Sequence, residues 1–242
     1  MSTHYETLQQ AHLYRDVFNV EPPSDVGARD MWPRKPGLMV RAVAREDAAP
    51  AVAADGTASV APTAVARELV PAQWGLVPDW VKSASDGKLR APKLVNARSE
   101  NVTTSANFRD AWLKGQRCIV PMAAFFEDDW RSGKAVPTRV FRVDGQPMGV
   151  AGLWARWAAP TGEELISYTL LTVNANSHAL IHRYQHPGSE KRMLAVLNEG
   201  AYDAWLSVRV EKAKEFMRQY PANWLAANPV ENKADKVPHA LR

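Results

Sequence analysis

Apolar and polar residues alternate in short segments over most of the second half of the chain, and this pattern predicts β-strands. Turn signals built on glycine separate the segments, at Ser132-Gly133, Asp144-Gly145 and Pro160-Thr161-Gly162. The predicted strands are Cys118–Val120, Ala124–Glu127, Thr138–Val143, Met148–Trp157, Ser167–Val173 and Met193–Leu197.

The first half of the chain is less regular. Residues 1–20 favour a short strand followed by a helical turn, and strand-like segments follow in two places, Met39–Arg45 and Leu69–Trp80. Helical spacing of apolar residues predicts helices further along the chain, the first of them ended by Gly115. These helices are Asn107–Lys114, Glu199–Leu206 and Val210–Arg218.

Strands that outnumber helices and follow one another through short turns indicate a mainly antiparallel sheet. The expected fold class is therefore α+β: a single β-rich, barrel-like domain over residues 1–220, flanked by a few helices. Residues 47–63 are rich in Ala, Pro, Gly and Asp without a sustained period, which predicts a surface insertion. Residues 221–242 are polar and are expected to form a loosely packed tail.

Composition narrows the class of protein. A chain of 242 residues with 46% hydrophobic residues can bury a substantial core, and no apolar run is long enough to cross a membrane. The first residues show no secretory signal. A single cysteine, Cys118, excludes an intrachain disulfide and suits the reducing cytoplasm. The spacing of the histidines predicts no metal site, and no cofactor is expected.

Charge and aromatic content narrow the class of protein only slightly further. The formal net charge of +4 suits a nucleic-acid binder and equally suits many enzymes. Nine tryptophans are an unusually large number for this length, and indole rings stack on the bases of single strands. They also fill cores. Composition alone leaves both interpretations open.

Five short motifs follow one another along the chain, and together they resemble the SOS-response-associated peptidase family from residue 1 to about residue 206. Each motif is weak alone, and their order makes the resemblance specific. They are Trp74-Gly75-Leu76-Val77-Pro78-Asp79-Trp80, Asn96-Ala97-Arg98-Ser99-Glu100, Arg117-Cys118-Ile119-Val120-Pro121 running into Phe125-Phe126-Glu127, Gly152-Leu153-Trp154, and His186-Pro187-Gly188-Ser189-Glu190-Lys191-Arg192-Met193.

The resemblance implies recognition of abasic sites in single-stranded DNA, through a positively charged channel. In that family the initiator methionine is removed, and a cysteine at position 2 captures the ring-opened sugar aldehyde as a thiazolidine. The residues that correspond to the family's pocket are Asn96, Glu127 and His186, with Ser2 at the position of the nucleophile. The implied protein is cytoplasmic and nucleoid-associated, and a monomer is the default expectation.

General chemistry agrees with this implied site. An N-terminal α-amine has a pKa of about 8, so a useful fraction is neutral and nucleophilic at cellular pH. Glu127, after Phe125 and Phe126, can act as the general acid if burial raises its pKa. His186 can carry a proton to or from the sugar oxygen, and the amide of Asn96 can hold the amine or a sugar hydroxyl.

DNA contacts are assigned to two arginines and two tryptophans. Arg98 and Arg192 are the predicted phosphate ligands, and Trp74 and Trp80 are predicted to stack against bases. Other interpretations stay open: Arg98 as an ion-pair partner of Glu100, either tryptophan as a core residue, Glu127 as a surface acid and His186 as a loop cap. Cys118 is expected to be an inert buried thiol.

Several positions depart from the family's pattern, and Ser2 matters most. Position 4 is His4 rather than arginine, Ala124 replaces a glycine, and the tryptophan near Glu127 is displaced to Trp130. A hydroxyl is a far weaker nucleophile than a thiolate, so reversible imine capture is expected rather than a durable crosslink. A non-catalytic single-stranded DNA binder and an N-terminal-nucleophile peptidase are the alternative functions.

Overall fold

The computed structural model describes residues 1–43 and 64–230. The predicted insertion at residues 47–63 lies outside these residues. The strands of the described part are β1 Tyr5–Glu6, β2 Asp30–Met31, β3 Pro36–Ala42, β4 Arg67–Trp74, β5 Asn96–Arg98, β6 Arg117–Met122, β7 Ala124–Asp129, β8 Val136–Arg142, β9 Met148–Ala158, β10 Glu164–Asn174, β11 Arg192–Leu194, β12 Val196–Leu197 and β13 Leu225–Pro229.

The helices of the described part are short. The α-helices are α1 His12–Phe18, α2 Ala84–Arg90, α3 Arg109–Leu113, α4 Tyr202–Ser207 and α5 Val210–Ala213. Turns of 3-10 helix occur at Ala91–Lys93, Ile181–Arg183, Glu199–Ala201, Lys214–Phe216 and Ala222–Trp224. None of the described helices is long and apolar enough to cross a membrane.

A closed ring of strands forms the centre of the molecule. Its order is β10, β4, β3, β6 and β9, and β9 pairs back onto β10. All neighbours in the ring are antiparallel except β4 and β10; β5 also joins β10 in parallel. The prediction of a β-rich, mainly antiparallel, barrel-like α+β fold is confirmed.

Close packing inside this ring explains one glycine of the sequence motifs. A Cβ on Gly152 would lie 2.7 Å from the carbonyl oxygen of Thr169 and 2.9 Å from the sulfur of Cys118. Both distances are shorter than real contacts allow, and the first atom belongs to the backbone and cannot move freely. A side chain at position 152 would therefore push β9 away from β10, which is a reason for glycine in the Gly152-Leu153-Trp154 motif.

A second sheet carries the N-terminal residues. Its order is β13, β8, β7, β1 and β2, all antiparallel. The pairing of Tyr5 with Phe125 lays the start of the chain along β7, the strand that contains Glu127. Tyr5 also donates or accepts a hydrogen bond of 2.5 Å with the hydroxyl of Tyr168 on β10, which ties this sheet to the barrel.

Most predicted elements are present with shifted ends. The segment Leu69–Trp80 is a strand only to Trp74, because Gly75 adopts a φ of +112° that ends the extended run. The predicted segment Met193–Leu197 is divided into β11 and β12, and the two C-terminal helices are each part α and part 3-10. Helix α2, which begins after the N-cap Ser83, was not predicted.

The expectation of a loosely packed tail from residue 221 is wrong for residues 222–229. A 3-10 turn is followed by β13, which pairs with β8 over its full length from Leu225 to Pro229. Leu225 is buried, and it supplies the apolar contact that composition alone did not reveal. The domain therefore extends beyond residue 220, and residues 231–242 lie outside the described residues.

Candidate functional site

Ser2 is buried at the point where the N-terminal segment meets β7. Its Oγ donates hydrogen bonds to the carbonyl oxygens of His4, at 2.9 Å, and of Phe126, at 3.0 Å. Only 3% of the residue is exposed. The N-terminal segment is thus hydrogen-bonded to β7, the strand that also carries Glu127.

Asn96, at the start of β5, contacts the same residue from the barrel side. Its Nδ2 donates a hydrogen bond of 2.7 Å to the carbonyl oxygen of Ser2. The Oδ1 of Asn96 is buried and has no hydrogen-bond partner among the described residues. Buried carbonyl oxygens are rarely left without a donor, so this oxygen is available to a donor that enters the site.

Glu127 is the buried acid of the site, with 6% of the residue exposed. Burial raises its pKa to about 7; the α-amine of Met1 and the side chain of Gln185 oppose that rise, and Asp128 adds to it. The amine lies 3.8 Å from Oε2 of Glu127. The carboxyl can therefore both accept and donate a proton near neutral pH.

His186 lines the same cleft as Glu127 and Met1, and its side chain is exposed. Its Nδ1 lies 2.7 Å from the carbonyl oxygen of Pro187, and its ring meets that of Trp130 edge to face at 4.9 Å. The displaced Trp130 therefore still reaches the site. Ser2 thus contacts Asn96 and the residue before Glu127, while Glu127 and His186 both line one cleft of about 860 Å³.

The cleft also contains charged residues that were not predicted. The carboxylate of Glu6 is buried and accepts hydrogen bonds from Arg29, at 2.9 Å, and from Arg139, at 2.6 Å. His4 is paired with Asp30 at 2.7 Å. The expected positively charged channel is absent from this lining, where the carboxylates of Glu6, Asp30, Glu127 and Asp128 face only two guanidinium groups. No motif contains Glu6, Arg29, Asp30 or Arg139, and only the pairing of β1, β2, β7 and β8 brings them together.

The prediction that Arg192 binds phosphate is wrong. Its side chain is 1% exposed and donates to both carboxylate oxygens of Glu100, at 2.6 and 2.9 Å. It also donates to Glu190 at 2.9 Å and to the carbonyl oxygen of Thr172 at 2.9 Å. A guanidinium with this many protein acceptors holds the β10–β11 region together and has no free donor face for DNA.

The prediction that Trp74 stacks on bases is also wrong. The residue is fully buried, its Nε1 donates to the carbonyl oxygen of Val95 at 3.0 Å, and its ring meets Tyr5 edge to face at 5.0 Å. It is a core residue, which was the open alternative. An indole buried on both faces in the barrel cannot reach a nucleobase.

Trp80 and Arg98 are exposed, but neither lines the cleft. Trp80 is 40% exposed, donates from Nε1 to the carbonyl oxygen of Ala106 and carries the guanidinium of Arg90 at 4.9 Å from its ring. Arg98 is paired with Glu190, not with Glu100 as the alternative had it. Their contacts with DNA stay predictions.

Cys118 is unsuited to be a nucleophile, and the described residues contain no cluster of metal ligands. Cys118 is fully buried in β6, and burial raises the pKa of its thiol far above the ordinary value, which leaves it protonated and unreactive. Within residues 1–43 and 64–230, no three His, Cys, Asp or Glu side chains are grouped as the ligands of a metal ion would be.

The N-terminal segment thus lies between Asn96, on the barrel side, and β7, the strand that carries the buried acid Glu127. The chain belongs to the SOS response associated peptidase (SRAP) family, whose model matches residues 1–237. The family resemblance drawn from the motifs is thereby confirmed.

Relatives of known name share this domain. The chain is 28% identical over 193 residues to the abasic site processing protein HMCES of Gallus gallus, covering 71% of this chain and 55% of that protein. It is 32% identical over 105 residues to the abasic site processing protein YoqW of Bacillus subtilis, covering 43% of this chain and 45% of the relative. The chain spans about half the length of the curated relatives it matches.

Solved structures resemble the whole chain. A crystal structure of a protein from Bordetella bronchiseptica superposes with a TM-score of 0.81 and 37% identity, covering 96% of this chain and 100% of the other. One from Bacteroides thetaiotaomicron gives a TM-score of 0.71 at 20% identity, covering 95% and 92%, and shows the shared fold alone.

Proposed function

We propose that this protein processes abasic sites in single-stranded DNA by forming an imine between its residue 2 and the ring-opened sugar. The observation that supports the proposal is the position of Ser2, buried between the amide of Asn96 and the strand that carries Glu127. The names of the relatives, which describe abasic site processing proteins, agree with it.

The reaction begins with hydrolysis of the peptide bond between Met1 and Ser2, which makes the nitrogen of Ser2 an α-amine. The lone pair of the neutral amine attacks the aldehyde carbon C1′ and forms a carbinolamine. The hydroxyl of the carbinolamine then leaves as water, with a proton donated by Glu127, and the nitrogen loses its proton as the C=N bond forms. A carboxyl with a pKa of about 7 is suited to this step, because a large fraction is protonated at neutral pH.

Asn96 and His186 have supporting roles in this proposal. The Oδ1 of Asn96, buried without a partner among the described residues, can accept a hydrogen bond from the amine of Ser2 while Nδ2 holds its carbonyl oxygen. His186, which lines the same cleft as Glu127, can donate a proton to the ring oxygen as the sugar opens. Together they would orient the lone pair of the amine toward C1′.

Serine at position 2 determines the lifetime of the product. Its Oγ donates to two backbone carbonyl oxygens, and neither of these is a base that could activate it. This arrangement does not favour the alternative of a serine peptidase. It also leaves the imine open to hydrolysis or to strand cleavage by β-elimination, since no thiol closes it to a thiazolidine.

The test is covalent trapping on a single-stranded oligonucleotide with one abasic site. Mass spectrometry first establishes that the protein starts at Ser2. We expect an adduct when borohydride reduces the imine, and almost none after heating without reductant. Ser2→Cys should give a heat-stable adduct without borohydride, and Glu127→Gln in that background should slow its formation by about 100-fold or more.

A matched control is Glu163→Gln, which changes an exposed carboxylate outside the cleft lining and should leave the trapping rate nearly unchanged. If a folded protein that starts at residue 2 gives no borohydride adduct, and Ser2→Cys gives none either, the proposal is wrong. The non-catalytic DNA binder would then be the better description.

A further inference from the structure

Trp32 is an exposed tryptophan at the rim of the cleft, directly after β2. It retains 48% of its accessible surface although it lines the same cleft as Met1, Glu127 and His186. One face of its indole ring packs on the ring of His4, with centroids 4.0 Å apart and planes 10° from parallel. His4 in turn stacks on Phe126 at 3.9 Å and 5°. Three parallel rings thus lead from β7 to the rim.

This aromatic stack, Trp32–His4–Phe126, is fixed at its central member. The imidazole of His4 is bonded to Asp30 at 2.7 Å, and the carbonyl oxygen of His4 accepts from Ser2 Oγ at 2.9 Å and from the amide of Phe126 at 3.1 Å. The stack is therefore attached to the residue proposed as nucleophile. A surface held in this way binds a ring without a large loss of side-chain entropy.

We propose that Trp32 is a stacking platform for the nucleobase next to the abasic sugar, and that it positions the damaged strand over Ser2. The inference rests on the proposed function and adds a residue and a ligand group to it. A base beside an abasic sugar has lost one of its stacking neighbours, and an indole face can replace that neighbour. Every base has a π-face, so the contact tolerates any sequence.

Charge in the cleft is compatible with a strand that passes Trp32. Arg29 is 65% exposed at its side chain and shares the single carboxylate of Glu6 with Arg139. The exposed guanidinium of Arg29 has donors beyond the one bonded to Glu6, and a guanidinium binds a phosphate well. The platform and a cation for the backbone therefore lie in the same cleft.

Other exposed aromatic residues lack this combination. Trp80 already carries Arg90 over its ring and does not line the cleft. Trp224 is 46% exposed but meets Tyr220 edge to face, outside the cleft. Among the described tryptophans, Trp32 is thus the one that joins an exposed ring to the cleft of Glu127.

The test is a cycle that pairs a change in the protein with a change in the DNA. Equilibrium binding without reductant is measured for the unsubstituted protein and for Trp32→Leu. One oligonucleotide has a single abasic site, and the other also lacks the bases on both sides of it. We expect Trp32→Leu to weaken binding of the first by about 10-fold, the effect of one base–aromatic stack. It should weaken binding of the second by less than about 2-fold.

Trp32→Phe keeps a smaller ring and should recover part of the affinity, whereas Trp224→Leu should leave both affinities unchanged. A thermal unfolding curve for each variant checks folding. Equal losses on the two oligonucleotides, or no loss on either, would overturn the inference, because a merely structural role for Trp32 cannot depend on the neighbouring bases.

A separate measurement tells this failure from a failure of the proposed function. Borohydride trapping of propanal, followed by mass analysis of the N-terminal peptide, requires the amine of Ser2 but no nucleobase. If propanal is trapped but the binding cycle shows no coupling, the stacking role of Trp32 is rejected and the imine chemistry is retained. Coupling in the cycle without trapping of propanal supports the platform and rejects the imine chemistry.

Discussion

Glu127 is held in surroundings that disfavour its charge, and this has a cost in stability that depends on pH. Its pKa is raised from an ordinary 4.5 to about 7, chiefly by burial, so the folded protein binds more protons than the unfolded chain between these values. Unfolding free energy therefore falls as the pH rises through this window. Below it the acid is protonated in both states and the penalty disappears.

Glu127→Gln should remove this dependence on pH. The glutamine does not titrate. The unfolding free energy of the variant should therefore rise relative to that of the unsubstituted protein as the pH increases from 4.5 to 7. The change is at most roughly 3 kcal/mol. Urea unfolding at several pH values measures it. Glu163→Gln, an exposed carboxylate outside the cleft lining, is the control, and a difference that stays flat with pH for Glu127→Gln would contradict the assigned cause.

Arg192 illustrates how a motif residue can be structural. Removing its guanidinium leaves Glu100 and Glu190 without their shared cation, and the carbonyl oxygen of Thr172 keeps only the amide of Ser99 as a donor. Arg192→Met should therefore lower the unfolding free energy by about 2 kcal/mol, because the hydrogen bonds of a buried guanidinium are lost while the accessible carboxylates can be hydrated. Arg98→Met, which breaks an exposed pair with Glu190, should cost less than about 1 kcal/mol. Similar losses for the two variants would contradict this difference in burial.

The resemblance to the family predicted candidate residues for the site, but not which of them are buried. Of these, Asn96 donates a hydrogen bond to Ser2, and Glu127 and His186 line the cleft. Arg98 and Arg192 have the same side chain in similar motifs, and only the packing of β10 against β11 makes one of them inaccessible. Trp32 has no motif, so its stack on His4 could be found only in three dimensions.

At the scale of elements, alternation predicted strands well and predicted their partners poorly. The pairs β7–β8 and β9–β10 are consecutive strands joined by short turns, and their antiparallel pairing follows from that. The pairing of β6 with β9 skips two strands and does not follow from chain order. The parallel contact of β4 with β10 joins strands about 90 residues apart in sequence, and no local pattern reports it. The segment Ala226-Ala227-Asn228-Pro229 has no β-branched or aromatic residue, which likewise concealed β13, whose partner β8 lies far upstream.

The pairing of β13 with β8 makes a prediction about truncation. A chain ended after Tyr220 loses the whole ladder from Leu225 to Pro229 and exposes the edge of β8. Loss of the buried Leu225 alone should cost about 2 to 3 kcal/mol, which lowers the Tm by roughly 5 to 10 °C. A chain ended after Val230 retains the ladder and serves as the control. Equal Tm values for the two would show that β13 adds no stability.

At the scale of the whole molecule, net charge says little about the cleft. The chain carries a formal charge of +4, yet its cleft combines two guanidinium groups with a larger number of carboxylates. Much of the positive charge elsewhere is already paired, as at Arg98 with Glu190 and Arg142 with Asp144 and Glu199. The affinity for a single strand should therefore rest on a few cations and on stacking rather than on a broad basic surface.

This distribution predicts a shallow dependence of DNA binding on salt. Each phosphate neutralised on a single strand contributes a slope of about −0.7 in a plot of log K against log salt concentration. With Arg29 and Arg139 as the cations of the cleft, the slope should be about −1.4, and Arg29→Gln should reduce it by about half. Arg98→Gln is the informative comparison, because Arg98 was predicted from the motif to bind phosphate and lies outside the cleft lining. If Arg98→Gln reduces the slope and Arg29→Gln does not, the strand follows a path along the motif residues, and the cleft receives only the abasic sugar itself.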